Sequence, residues 1–241
     1  MSDTLRSCIV AESGHTFLSL DANQIELRVL AILSQDPKLL EDLRTGDLHQ
    51  ATADRMFGEV EDEEQRKKKR YNAKQANFAL VYGADEYKLS EMLECSVEDA
   101  TQFMSEHKAT YPVLYQWMEE RKIQAKEDGY VINMFGRIRP LPELYAGSFR
   151  MREAAEREVV NTIVQGTAVD IVKLMMLELR KEFDPRVRLV LQVHDEILWE
   201  VPDKLIPQCL EQSKVLGVVF EDYPCTVAVG KVYGEMKELE L

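Results

Sequence analysis

The sequence has no apolar run near the ~20 residues that a membrane-spanning helix needs. Its first residues, MSDTLRS, lack the charged and apolar regions of a secretory leader. The four cysteines (Cys8, Cys95, Cys209, Cys225) are scattered and form no C-x-x-C pair, so they read as reduced structural thiols of a cytosol-like compartment. Internal repeats, low-complexity tracts and Gly/Ser linkers are absent, which excludes solenoids and flexible tethers. Net positive charge is also missing. With 30 Lys and Arg against 43 Asp and Glu, the formal charge is −13. That argues against a generic nucleic-acid coat protein but not against a nucleic-acid enzyme, because phosphate binding depends on where cations sit and not on their sum.

What remains is a chain of 241 residues, 45% hydrophobic and 30% charged, a composition of soluble globular proteins with one large domain or two small ones. Acids cluster at 59–64 and at the C-terminal end, and the densest basic run is Arg66-Lys-Lys-Lys-Arg70. Residues 16–20 follow the turn signal Ser13-Gly14 and read as a buried strand ending at Asp21. Helical spacing takes over at 24–33 (Ile25, Val29, Leu33) and continues almost unbroken through 36–128. Breaks are expected at Asp36-Pro37, Gly46-Asp47, Phe57-Gly58, Gly83 and Pro112, with an end at Asp128-Gly129. Residues 130–134 suit a short strand before a turn at 135–140. A long helix fits 150–183, with Ala154, Val160, Val164, Ile171 and Met175 toward the core. Residues 187–193 and 197–201 form a hairpin around His194-Asp195-Glu196, 204–216 a helix and 226–229 a last strand. The strands come from both ends of the chain, which predicts an α+β sheet domain (about 1–35 and 129–241) carrying an all-helical insertion (about 36–128).

Asp21 at the end of a buried strand and Asp195 in a tight turn are both rigidly held carboxylates at strand ends. Two such groups brought together repel unless a cation lies between them, and magnesium takes oxygen ligands while keeping sites open for phosphate. Taken singly, Asp21 also fits a helix N-cap and Asp195 a turn former. Glu196, Asp47, Asp54 and Asp170 are weaker acids of the same kind. Arg70, Lys74, Phe78 and Tyr82 step by four along one helical stripe. Cations there can grip phosphates and the aromatics can face a base, although an amphipathic helix with buried aromatics has the same pattern. Arg157, Asn161 and Gln165 also step by four, as a minor-groove reader or a plain polar face. His49 and His194 lack the Cys or His partners that zinc needs. His49 could instead donate to a phosphate.

Four segments together resemble the polymerase domain of family A DNA polymerases, the DNA polymerase I type. They are Asp21-x-x-Gln24-Ile-Glu26-Leu-Arg28, Arg70-x-x-x-Lys74-x-x-Asn77-Phe78-x-x-x-Tyr82-Gly83, Val193-His194-Asp195-Glu196 and the run from Arg157 through Gln165 to Asp170. The resemblance runs in order through nearly the whole chain. It implies an antiparallel-sheet palm (1–35 and 129–241) with helical fingers (36–128) inserted. It implies two magnesium ions on Asp21 and Asp195, with the Ala22 carbonyl as a further ligand and Glu196 close by. Gln24, His49, Arg70 and Lys74 would contact the incoming deoxynucleoside triphosphate. Phe78 would lie against its sugar and base, and Tyr82 beside the templating base. Glu26, with Tyr82, would fill the space of a ribose 2′-hydroxyl. Arg157, Asn161, Gln165, His194, Arg28 and Arg137 would meet primer-template DNA.

Ala22-Asn23 stands where the family usually has Tyr-Ser, and Ala79 where Gly is common. The chain begins just before the first palm strand. The expectation is therefore a fragment, or one subunit of a split enzyme whose thumb or exonuclease domain lies on a second polypeptide. It is expected to act without a membrane, in the cytoplasm of a bacterial or phage-infected cell. A single-subunit RNA polymerase relative is a second reading, opposed by Glu26. A catalytically silent nucleic-acid-binding scaffold is a third, opposed by the intact Asp21, Asp195, Arg70 and Lys74.

Overall fold

The computed structural model describes residues 3–45, 47–58 and 62–239. The acids at 59–61 and the expected break at Gly46 lie outside them. From the N-terminus, helix α1 (Asp3–Arg6) leads to strand β1 (His15–Ala22). Helices α2 (Ile25–Ser34), α3 (Pro37–Thr45), α4 (Leu48–Phe57), α5 (Glu63–Val81), α6 (Glu86–Leu93), α7 (Val97–Thr110) and α8 (Pro112–Asp128) follow. Strands β2 (Tyr130–Ile132) and β3 (Ile138–Pro140) precede the long α9 (Phe149–Glu182). Then come β4 (Arg188–Val193), β5 (Glu196–Pro202), α10 (Ile206–Ser213), α11 (Val215–Val219), β6 (Cys225–Gly230) and β7 (Lys237–Leu239). The fold is α+β with antiparallel sheets, as the strand and helix patterns predict.

Contacts divide the chain into one compact unit of Met1–Leu27 with Thr167–Leu241 and another of Arg28–Gly166. The first is built on a five-stranded antiparallel sheet of order β4-β5-β1-β6-β7, with β1 at its centre. Period-two alternation gives β1 two different faces. Leu18 and Leu20 share one face with Ile197, Trp199 and Val227 of the neighbouring strands, all buried. Phe183, just past α9, meets Trp199 edge-on at 5.2 Å. The opposite face carries Phe17, Ser19 and Asp21. It is apolar at one end, where Phe17, Leu198 and Tyr233 cluster, and acidic at the other.

The second unit is nearly all helix, plus the β2–β3 hairpin. Its helix starts follow from single side chains. Asp47, Asp62, Asp85 and Ser96 each accept a backbone N–H at the start of α4, α5, α6 and α7. Gly83 and Gly129 sit at φ +77° and +78°, where a side chain would be strained. Asp36, wholly buried, caps two helices at once. One carboxylate oxygen accepts from the N–H groups of Lys38 and Leu39 at 3.0 Å each. The other accepts from Val113 and Leu114 at 3.0 Å each.

Several expectations need correction. Ala154 is exposed and Ala155 points inward, because α9 is phased by Ala155, Val159 and Ile163 packing on Val131, Leu141 and Leu144. Residues 204–216 are not one helix. A short 3-10 turn (Asp203–Leu205) precedes α10, whose first turn holds Pro207, and α11 follows separately. β6 is not the last strand, since β7 pairs on its outer edge. The turn expected at 135–140 contains β3, and Asn133 organises the hairpin by accepting from the Phe135 and Arg137 N–H groups at 3.0 and 2.9 Å. Helix α9 has the length and average composition of a membrane span, but 56% of its most apolar window is buried within the protein, which accounts for that composition.

Asp36 gives the fold its most direct check. Removing two caps costs about 2–4 kcal/mol. Asp36→Ala is expected to lower unfolding free energy by that amount in urea, and Asp36→Asn by roughly half.

Candidate active site

Asp21 lies inside β1, not at a helix start. It is paired with Glu196 of β5 on one side and Thr226 of β6 on the other. Gln24, at φ +53°, turns the chain before α2 begins at Ile25, so Asp21 caps no helix. The β4–β5 hairpin turns through His194 and Asp195, with exposed His194 at φ +56°. The Ala22 N–H donates to the Asp195 carbonyl at 3.2 Å, which ties that turn to the end of β1. The first turn of α2 brings Glu26 to the same acidic group. Burial, and then the Asp195 charge, push its carboxyl above the usual range. Burial and then the Asp21 charge likewise push the Cys225 thiol up to about 12.

Glu196 is held differently from its neighbours. One oxygen accepts from Ser19 Oγ at 2.6 Å. The other accepts from the Tyr233 hydroxyl and pairs with Arg6 at 3.2 Å. These groups line an open, polar cavity of about 460 Å³ together with Asp21, Asn23 and Thr226. Among the described residues no three His, Cys, Asp or Glu side chains converge into a metal-binding group. That donor set fits magnesium, which is commonly held by one or two carboxylates plus water and substrate phosphates, better than an all-protein cage.

In the second unit, the stripe on α5 is as the spacing predicts up to Phe78, while Tyr82 forms the C-cap just beyond the last turn. Lys74 is exposed and has no ion-pair partner among the described residues. Arg70 is paired through Nε with Asp47. Asp47 also caps α4 by accepting from His49 N–H at 3.0 Å and Gln50 N–H at 3.2 Å. Burial is the largest influence on Asp47 and acts upward. It is outweighed by Arg70 and the Gln50 N–H, so the carboxyl is held below its usual range.

His49, Phe78 and Tyr82 form a run of rings, with centroids 5.9 and 6.2 Å apart. Burial and the charges of Arg70 and Lys74 push His49 down to about 4, against an upward pull from Asp47. The Tyr82 hydroxyl, the His49 Nε2 and the Asn161 Oδ1 are buried without a hydrogen-bond partner among the described residues. A Cβ on Gly83 would meet Arg157 Cγ at 2.8 Å, so Gly83 lets Arg157 lie against the end of α5. Arg157 and Gln165 are exposed and Asn161 half-buried on α9. Arg137 is exposed near the end of the hairpin loop, and Arg28 is half-buried in α2.

Sequence reading missed the groups that hold these residues. Arg6, Ser19 and Tyr233 around Glu196 are remote in the chain and carry no local signal. Asn77 belonged to a motif, but its partners Thr52 and His107 were not visible. Asp47 was one of several weak acids until its bond to Arg70 singled it out.

The sequence model described as DNA polymerase family A matches residues 1–222. The chain is 37% identical over 232 residues to DNA polymerase I of Pseudomonas aeruginosa, covering 94% of this chain and 25% of that one. It is 38% identical over 230 residues to the thermostable DNA polymerase I of Thermus thermophilus, covering 92% and 28%. Its fold matches the POL domain of Pol1 from M. smegmatis, solved in complex with DNA primer-template and dNTP, with a TM-score of 0.86 and 31% identity over 96% of this chain and 42% of that one. The chain spans about a quarter of the length of these curated relatives.

Glu26 offers a check that needs no substrate. Its raised pKa means that the folded state keeps the proton to higher pH than the unfolded chain, so ionising it destabilises the fold as pH rises. Glu26→Gln is expected to be more stable than the parent at about pH 7 without divalent metal, with the gain fading by about pH 4. Urea denaturation at both pH values measures it.

Proposed function

The chain belongs to DNA polymerase family A, and on that footing we propose that it is the catalytic module of a template-directed DNA polymerase, extending a primer with deoxynucleoside triphosphates. The observation that carries this reading is the end of β1, where the turn holding Asp195 is tied to the residue after Asp21 and where burial and the Asp195 charge raise the carboxyl of Glu26. The primer-template and dNTP bound to the M. smegmatis relative support the same substrates here. The palm corresponds to 1–35 and 129–241 and the fingers to 36–128, a division that follows the motifs and not the compact units.

Asp21 and Asp195, with the Ala22 carbonyl, would hold the magnesium ions. When bound, these would neutralise the acids and the phosphate oxygens around the displacement at phosphorus. Glu196, with both oxygens engaged by Ser19, Tyr233 and Arg6, acts as a strut that fixes the β5 end of this group. Arg70, Lys74, His49 and Gln24 bind the triphosphate. The exposed Lys74 ammonium balances charge that builds on the leaving diphosphate as the primer 3′-oxygen joins the α-phosphorus. Phe78 packs on the sugar and base, and Tyr82 lines the pocket beside the template base. Glu26 with Tyr82 excludes a 2′-hydroxyl. Arg157, Asn161, Gln165, His194, Arg28 and Arg137 bind primer-template DNA, and the cytoplasm is the compartment of action.

Primer extension with magnesium tests the proposal, run with the chain alone and with a polypeptide supplying the remaining length of a relative. Extension in either arm is expected, with Asp21→Ala or Asp195→Asn reducing it roughly a thousandfold, about 4 kcal/mol of transition-state stabilisation. No incorporation in either arm, or preference for ribonucleotides, would contradict it. Asp47→Asn keeps an N-cap residue on α4 but releases Arg70. It is expected to tighten triphosphate binding by roughly 2- to 5-fold in a fluorescent-nucleotide titration.

A further inference from the structure

We propose that Asn77, His107 and Tyr115 are positioning residues: they form a one-way chain of hydrogen-bond donors that fixes His49 as its Nε2–H tautomer, with that N–H reserved for an oxygen of the incoming triphosphate. The inference rests on the reading that His49 meets the triphosphate.

The chain of contacts is buried as far as His107 and ends at the half-buried Tyr115. His49 is 1% exposed, Asn77 2%, Thr52 2% and His107 6%. Asn77 Nδ2 lies 3.3 Å from His49 Nδ1 and 3.0 Å from Thr52 Oγ1. Thr52 in turn donates its hydroxyl proton to the Leu48 carbonyl at 2.9 Å. Asn77 Oδ1 lies 3.2 Å from His107 Nε2, and His107 Nδ1 lies 2.9 Å from the Tyr115 hydroxyl. The rings of Phe103, Tyr111 and Tyr115 surround His107 with centroids 5.9, 4.9 and 5.7 Å away.

The direction of each bond follows from what each atom can do. An amide nitrogen only donates, so His49 Nδ1 must accept, and the proton of the neutral ring sits on Nε2. An amide oxygen only accepts, so His107 Nε2 must donate. His107 Nδ1 therefore accepts, and Tyr115 must donate to it. Burial supports the required charge states. It pushes both imidazoles down to about 4 and raises the Tyr115 hydroxyl, so both rings are neutral and the phenol keeps its proton at neutral pH. The one donor left over in this chain of contacts is His49 Nε2–H, which has no partner among the described residues. Turning the Asn77 amide over would reverse every link. His49 would then carry its proton on Nδ1 and offer a lone pair at Nε2, which repels a phosphate oxygen. The orientation of one buried amide thus decides whether His49 attracts or repels the ligand, and His107 is the partner of that amide's oxygen.

The four histidines make the tautomers directly readable by long-range proton–nitrogen NMR on protein labelled with 15N-histidine. Nε2–H is expected at both His49 and His107 in the parent. His107→Phe should leave His49 with mixed tautomers and raise the Kd for dATP with magnesium by roughly tenfold. His107→Gln, which can donate to the Asn77 oxygen, should restore both. Tyr115→Phe serves if His107→Phe does not fold, with mixed tautomers expected at His107. Nδ1–H at His49 in the parent overturns the proposal, and so does an unchanged His49 tautomer in His107→Phe (or, if that does not fold, an unchanged His107 tautomer in Tyr115→Phe). A tautomer change with unchanged dATP affinity shows instead that His49 does not meet the triphosphate. The NMR readout does not depend on polymerase activity, so failure of the broader function is distinguished from failure of the chain of donors.

Discussion

Asp21 is held between two neighbours. β1 is the central strand, so its last residues are bonded to β5 on one side and β6 on the other, and the Ala22 N–H is tied to the carbonyl of Asp195. That arrangement leaves the acids little room to move apart. Burial and then the Asp195 charge raise the carboxyl of the half-buried Glu26, and burial and then the Asp21 charge raise the thiol of Cys225. Like charges held together in this way lose their mutual repulsion only when a cation joins them or one acid keeps its proton. The sheet therefore builds a demand for positive charge into its acidic end.

The helical unit solves the opposite problem. Helix α5 carries Arg70 and Lys74 beyond an acidic first turn. Asp62 and the acids of the first turn stabilise its start, and Asp47 occupies Arg70. Beneath this surface, the buried amide of Asn77 joins α4, α5 and α7 through Thr52, His49 and His107. Buried polar groups are expensive unless paired, so a network this complete specifies one packing of the three helices. The unpaired atoms, His49 Nε2 and the Tyr82 hydroxyl, stand out against it. Unsatisfied groups of this kind are expected where a ligand completes the structure.

The legible part of this architecture was local. The Asp-Pro, Pro and Gly breaks marked helix ends because caps and positive φ leave their own residue types. The hairpin at His194-Asp195 was visible as two β-rich runs around a polar turn. What was not legible depends on partners far away in the chain. Asp21 reads as the end of a strand, yet pairing on both sides carries β1 through Ala22. Ala154 and Ala155 are chemically identical, and only the packing of Val131 and Leu144 decides which faces inward. Asp36 announced one helix start, but its second set of N–H groups belongs to α8. Glu196 carries no local sign of its partners, since Arg6, Ser19 and Tyr233 lie far away in the chain.

The central claim is that the acids at the end of β1 await a divalent cation that a nucleotide helps to hold. Titration with Mn2+, followed by its electron paramagnetic resonance signal with and without a deoxynucleoside triphosphate, tests it most directly. Weak binding alone, strengthened by the nucleotide and lost in Asp21→Asn and Asp195→Asn, is the predicted result. Equal Mn2+ binding by the parent and both variants would contradict the account.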